Sequence, residues 1–338
     1  MAFRISPLWW PLLGVASPLL APVLFRKNRR YQANRDAVAE RNQARLRETG
    51  RLDLPELEFL ELTVLVEEKT ADGFLGDAGV SYVFKTDRGT LLFDVGFGPE
   101  RPALAHNATN LGFKLDQVEA LVISHLHPDH MGGLKASRSK QVTVPSELGK
   151  PQGQICFLPD QAGAEGFRCE QVKGPQLLPA GIATTGPLAR SLFFLGLTEE
   201  QALVANVKGQ GLVVITGCGH PTIELIVQMV RRLSDQPIHA IGGGLHFPVT
   251  GGRGNRLGLQ FQTFIGTGKP AWKRITDDDL TGTIAALNEI KPDKVFLSAH
   301  DSCDHSLARM QAELTAQTEV FEAGKTYYFG EIGAKTVH

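Results

Sequence analysis

The sequence predicts an α/β domain preceded by a hydrophobic amino-terminal segment, and three observations carry that prediction. Short apolar runs, such as residues 118–123 and 211–216, break into glycine-rich turns, as strands buried on both faces do. Between them lie stretches of helical periodicity. The clearest is 222–233, where Ile223, Ile226, Met229, Val230 and Leu233 share one face. Ahead of both, residues 7–25 carry no charge.

As a helix, residues 7–25 would extend about 28 Å, close to the thickness of a bilayer's hydrocarbon core. Trp9 and Trp10 suit a membrane interface, and Arg26, Lys27, Arg29 and Arg30 follow at once. Only Arg4 precedes, the reverse of a cleavable signal peptide, and the positive charge places the carboxy-terminal side in the cytoplasm. Pro7, Pro11, Pro18 and Pro22 set an in-plane or re-entrant anchor against a spanning helix. A hydrophobic arm packed on the domain or on a partner is the third option. Residues 1–27 are thus expected to be a membrane anchor, 28–55 a charged helical linker kept wet by its charges, and 56–338 the folded domain.

The totals exclude several classes. An apolar share of 42% and a charged share of 21% describe an ordinary globular chain with a full core. A net charge of −1 leaves no basic excess for nucleic acid. Four cysteines, Cys156, Cys169, Cys218 and Cys303, are too few and too scattered for a disulfide framework, and reduced thiols are expected.

Within the domain, residues 59–67, 79–86 and 90–95 read as strands, the last ending in a turn that contains Asp94. Residues 101–112 follow as a helix with a surface histidine, His106. The run 118–123 then opens into Ser124-His125-Leu126-His127-Pro128-Asp129-His130-Met131-Gly132-Gly133. His125 and His127, spaced i, i+2, can point to one side of an extended segment. Asp129 and His130 enter from the turn, so that two metal ions a few Å apart become feasible. Imidazole and carboxylate are ligands for Zn²⁺, and for Mn²⁺ or Fe²⁺.

The pattern H-x-H-x-D-H-x-G-G resembles the signature of the metallo-β-lactamase superfamily, and the resemblance covers roughly residues 58–330. It implies an αβ/βα sandwich, two mostly β sheets back to back with helices outside. Asp94 would match the superfamily's supporting aspartate, which is not usually a ligand. Most members place the third ligand of the first metal in the region equivalent to 134–210, which here holds no histidine.

Residues 211–220 offer a replacement. Their strand, G-C-x-H turn and following helix resemble a branch of metal-dependent hydrolases related to 7,8-dihydropterin-6-methyl-4-(β-D-ribofuranosyl)aminobenzene-5′-phosphate synthase. That resemblance makes His220 the missing ligand. Cys218 stands about where other members carry a bridging aspartate, and is either a soft ligand or a buried inert thiol. Residues 238–247 resemble the branch's G-G-x-H motif, with His246 as proton donor or, alternatively, a ligand. His239 is a core or surface residue.

Residues 248–275 look like a glycine-rich insertion with Arg253, Arg256, Lys269, Lys273 and Arg274. It is either a binding loop for substrate phosphate or carboxylate, with Arg253 and Arg256 foremost, or a solvated loop. Asp277, Asp278 and Asp279 start a helix running to about Ile290. The strand after it ends in His300, which matches the superfamily's last ligand, whereas Asp301-Ser302-Cys303 depart from the usual continuation. His305 opens the final helix as a surface residue, and 325–329 closes the sheet as an edge strand.

The resemblance implies two divalent ions, Zn²⁺ foremost. His125, His127 and His220 would hold one, and Asp129, His130 and His300 the other. A hydroxide between them would attack a small, anionic ester or phosphoester, with Asp129 orienting the nucleophile. Two alternatives stand beside this hydrolase. One is a transferase like the named synthase, joining a dihydropterin to a phosphoribosyl-arylamine. The other is a non-catalytic metal-binding sensor tethered to a membrane.

Overall fold

A computed structural model describes residues 5–253, 255–256 and 258–331, and shows two main sheets facing each other. One has seven strands, in the order Thr326–Gly330, Phe59–Val66, Ser81–Thr86, Gly89–Phe93, Ala120–Val122, Ile155–Leu158 and Arg168–Gln171. The other has eight, and at its centre Gly211–Thr216, Ile238–Gly243 and Lys294–Leu297 run parallel. These three are almost wholly buried, which explains why their sequences read as unbroken apolar runs rather than alternating ones.

Leu60, Leu62, Tyr82, Phe84 and Phe93 of the first sheet meet Val213, Ile215 and Phe296 of the second in a shared core. Outside the second sheet, helices Ile223–Leu233, Asp277–Ile290 and Asp304–Glu313 bury Ile226, Val230, Leu280, Leu287 and Met310. Outside the first, helix Ala103–Asn110 buries Leu104 and Ala108. The result is the expected sandwich, with helix, sheet, sheet and helix in four layers. The expected surface positions hold for His106 and His305, and among the described residues the strand Thr326–Gly330 pairs only with Phe59–Val66 at a sheet edge. His239 pairs with Asp293. Helix Asp277–Ile290 begins at a capping box, Thr276 with Asp279, and three aspartates in its first turn complement its dipole. All four cysteines are free.

The parallel strands decide where chemistry can occur. Their carboxy-terminal ends lie together at one edge of the sandwich. His125 to His130 follow Ala120–Val122, Cys218 and His220 follow Gly211–Thr216, His246 follows Ile238–Gly243, and His300 follows Lys294–Leu297.

The amino-terminal segment departs from the expected linker. Trp10–Glu48 is one helix of 39 residues, about 58 Å long, with Pro18 and Pro22 inside it. By length and composition it could cross a membrane, and Leu8, Val15, Leu19 and Phe25 are exposed. Its second half is not a wet linker. Tyr31, Val38, Asn42 and Leu46 are buried against the hairpin of Leu188–Leu192 and Gly196–Glu200. Arg41 and Arg45, whose charges the sequence left to solvent, both pair with Glu199, Arg45 at 2.6 Å. The other end of the segment is also held, since Ser6 N–H donates to Gly258 O at 2.9 Å and Ile5 bridges to Leu259.

Candidate metal centre

The local chain explains how the histidines converge. His127 is extended, Pro128 starts a single helical turn, Pro128–Met131, and Gly132 ends it at φ 108°. A Cβ at Gly132 would collide with Thr143 O, so only glycine permits this tight return. On the second sheet, Gly219 turns the chain at φ 65° between Cys218 and His220. Glu200, buried at the end of the hairpin strand, accepts the N–H groups of Cys218, Gly219 and His220 at 3.0, 2.7 and 2.8 Å. One carboxylate thereby shapes the whole ligand-bearing turn.

Two sets of donor atoms result. The ligand atoms of His125, His127 and His220 lie within 4.8 Å of one another, and so do those of Asp129, His130, Cys218 and His300. Cys218 joins a further set with His220 and His246. His127 Nδ1 is 3.1 Å from His220 Nε2, and Cys218 Sγ is 3.1 Å from His130 Nε2 and 3.2 Å from His300 Nε2.

Hydrogen bonds behind the rings fix which nitrogen faces inward. Ser124 Oγ donates to Asp94 Oδ2 at 2.6 Å, so it accepts from His125 Nδ1 at 2.9 Å. That leaves the lone pair of His125 Nε2 buried and without a partner. His130 Nδ1 donates to Asp94 Oδ2 at 2.7 Å and His220 Nδ1 to Gly266 O at 3.0 Å, while His127 Nε2 shares a hydrogen bond of 3.2 Å with the Thr198 hydroxyl, which can donate or accept. Ser298 Oγ, which donates to Glu67, accepts from His300 Nδ1. His125, His220 and His300 therefore each turn a bare lone pair into the cluster.

The buried His125 Nε2 has no hydrogen-bond partner, and His127 Nδ1 and His220 Nε2 stand 3.1 Å apart, close to the spacing of about 3.3 Å that tetrahedral zinc sets between its nitrogen ligands. The residues fit a divalent metal on that ground.

Comparisons with known proteins bear on the fold. The sequence model of the metallo-beta-lactamase superfamily matches residues 75–145. Tm1679, described as a metal-dependent hydrolase of the beta-lactamase superfamily, aligns over 80% of this chain and 100% of its own at 20% identity and a TM-score of 0.57. This is the metallo-β-lactamase fold. YhfI from Bacillus subtilis, a metallo-beta-lactamase fold protein, covers 80% of this chain and 100% of its own at 12% identity and a TM-score of 0.49. No curated protein matches the sequence.

Electrostatics within this metallo-β-lactamase fold favour a cation. Burial holds His125, His220 and His300 well below the ordinary histidine range, and His127 down to about 3. The rings are neutral and ready to ligate. Burial also opposes charge on His130, but Asp129 and Asp94 outweigh it and raise that ring to about 9. The acidic side of the centre, with Asp129 and Cys218 beside Asp94, thus calls for positive charge. Burial pushes the Cys218 thiol well up, so its thiolate needs a cation to form.

Not every expected site residue joins the centre. Arg253 donates to Ala299 O at 3.0 Å and to Asp304 at 2.9 Å, which occupies its guanidinium with fold contacts rather than substrate. The side chain of Arg256 lies outside the described residues. His246 is buried at φ 56°, its Nε2 donating to Ile265 O at 2.9 Å and its Nδ1 without a partner. Sequence reasoning missed Glu67, Ser124, Thr198, Glu200 and Ser298. Ser124, beside the motif, was open to suspicion. Glu199-Glu200 at the end of an otherwise apolar stretch was the other available signal.

Proposed function

We propose that the protein is a dinuclear metallohydrolase of a small anionic ester or phosphoester. The supporting observation is the pair of donor sets, His125, His127 and His220 in one and Asp129, His130 and His300 in the other, with Cys218 between them. Two divalent ions, zinc foremost and manganese or iron as the other candidates, would supply an acidified water and a positive field for the developing oxyanion. Asp129, part-exposed at the mouth of the second set, orients the attacking water. His246 is better suited to accept than to donate. Its Nε2 proton is committed to Ile265 O, so the inward Nδ1 offers a lone pair, and the general-acid role gives way to ligation or proton acceptance. The apolar half of the amino-terminal helix supports association with a membrane surface.

Elemental analysis of the purified chain, with hydrolysis of generic ester and phosphodiester probes, tests this reading. Two metals per chain and turnover that collapses in His127→Ala are the expected result. Metal-loaded protein inert on every probe would sink it in favour of the sensor. Product formation only with a dihydropterin and a phosphoribosyl-arylamine would move it to the synthase-like transferase.

A further inference from the structure

We propose that Arg190 determines substrate specificity at this centre by reading a phosphate group that the substrate carries. Only the reaction, not the anion site, rests on the hydrolase reading.

Arg190 lies on the strand Leu188–Leu192, directly opposite Thr198 in the antiparallel hairpin. Opposed residues of such a pair project from the same face. Thr198 is the residue whose hydroxyl holds His127, so Arg190 stands beside the first donor set. A cleft of about 370 Å³ has Arg190, His220 and His246 in its wall. A second cleft, about 610 Å³, adjoins it and shares Arg190, Thr222 and Lys269. Arg35, Arg190, Lys269 and Lys273 line this second cleft, and no carboxylate does.

Arg35 is exposed on the second cleft, whereas the remaining guanidiniums near the centre are committed. Arg41 and Arg45 pair with Glu199, Arg253 with Asp304, and Arg101 with Asp77. Lys269 is held by Asp279 at 2.6 Å. Arg190 has neither a hydrogen bond nor an ion pair among the described residues, although it is partly buried and Glu224 lies near enough to be felt. The Arg190 nitrogens keep contact with solvent, so the fork is presented to the cleft rather than sealed inside the fold, and an anionic ligand can complete its pairing. The planar fork of N–H groups matches the paired oxygens of a phosphate, and a group carrying nearly two negative charges suits a cleft walled by Arg35, Arg190 and Lys273 beside the Asp279-paired Lys269. Gly268 backs the fork, since a Cβ there would strike Arg190 Nε. The phosphate could arrive on a soluble ester or on a lipid headgroup, because the cleft wall includes the helix whose other half is apolar.

Site-resolved labelling decides the matter. The metal-loaded full chain is treated with phenylglyoxal, and modification is read at each arginine by mass spectrometry. Glycerol phosphate, or vesicles of phosphatidylcholine containing phosphatidic acid, should lower labelling of Arg190 several-fold while Arg231 labels unchanged. Protection by glycerol phosphate points to a soluble source, and protection by the vesicles alone to a lipid one. Protection by neither overturns the proposal. In parallel, Arg190→Gln should raise KM about tenfold or more for an ester bearing a remote phosphate, with kcat and the turnover of a phosphate-free ester held. Equal loss on both esters would make Arg190 merely structural and also overturn it. If the wild-type chain hydrolyses nothing, the hydrolase reading fails, yet the labelling still judges the anion site.

Discussion

Asn42 and Ala189 exchange two hydrogen bonds, with the Asn42 amide nitrogen donating to Ala189 O and the Ala189 N–H donating to Asn42 Oδ1, each at 2.8 Å. The side chain thus pairs with a strand backbone as another strand would, and it fastens the long amino-terminal helix to the hairpin that carries Thr198 and Glu200. Asn42→Ala leaves both backbone groups of Ala189 buried and unpaired, at a cost of about 1–3 kcal/mol. Limited proteolysis should then cut faster between residues 26 and 50, and metal content should stay unchanged. Cleavage at the wild-type rate would show that the helix is held by other contacts.

Asp94 is the hub behind the metal centre, accepting from Ser124 N–H and Oγ, each at 2.6 Å, and from His130 Nδ1 at 2.7 Å. Asp94→Asn removes the charge and one acceptor without changing the shape, which unsettles the tautomer of His130. Metal affinity, read by competition with a chromogenic chelator, should fall about 10–100-fold. Unchanged affinity would mean that His130 does not depend on Asp94 for its orientation.

Cys218 makes a spectroscopic claim. Cobalt substituted into the centre should show a thiolate-to-cobalt charge-transfer band in the near ultraviolet, and Cys218→Ser should abolish it. A wild-type cobalt protein without that band would leave Cys218 as an inert buried thiol.

Glu200 carries three backbone N–H groups on a single carboxylate. Glu200→Gln keeps one oxygen and sets an amide nitrogen against N–H donors. The metal-free chain should lose about 1–3 kcal/mol in denaturant unfolding. The His220 turn should loosen as well, lowering metal occupancy at the first site. Loss of occupancy with no loss of stability would separate the two roles.

Much of the fold and most of the donor set were legible because their signals are local. A buried parallel strand must be an apolar run, and a chain that reverses straight after it must spend glycine or proline, so His125, His220 and His300 announced themselves at strand ends. Arg190, Thr198 and Glu200 gave no such sign. They stand on a hairpin inside the irregular region 134–210, and their meaning depends on what lies across space: His127 for Thr198, the 218–220 turn for Glu200, an empty face for Arg190. Arg253 misled for the converse reason. A basic residue in a glycine-rich loop looks available until its partner, Asp304, is known to lie 51 positions away. The charges of residues 28–50 failed likewise, since nothing in a helical repeat of charged residues reveals that Glu199 waits for two of them.

The contact between Ser6 and Gly258 has a topographical consequence. With the rod held by one folded body near both ends, placing those ends on opposite sides of a lipid sheet would require the Ser6–Gly258 contact to open. With that contact kept, immersion of its greasy stretch would be sideways, into the nearer leaflet alone, and the cleft beside Tyr31, about 9 Å past Phe25 along the rod, would then open at the level of the polar headgroups.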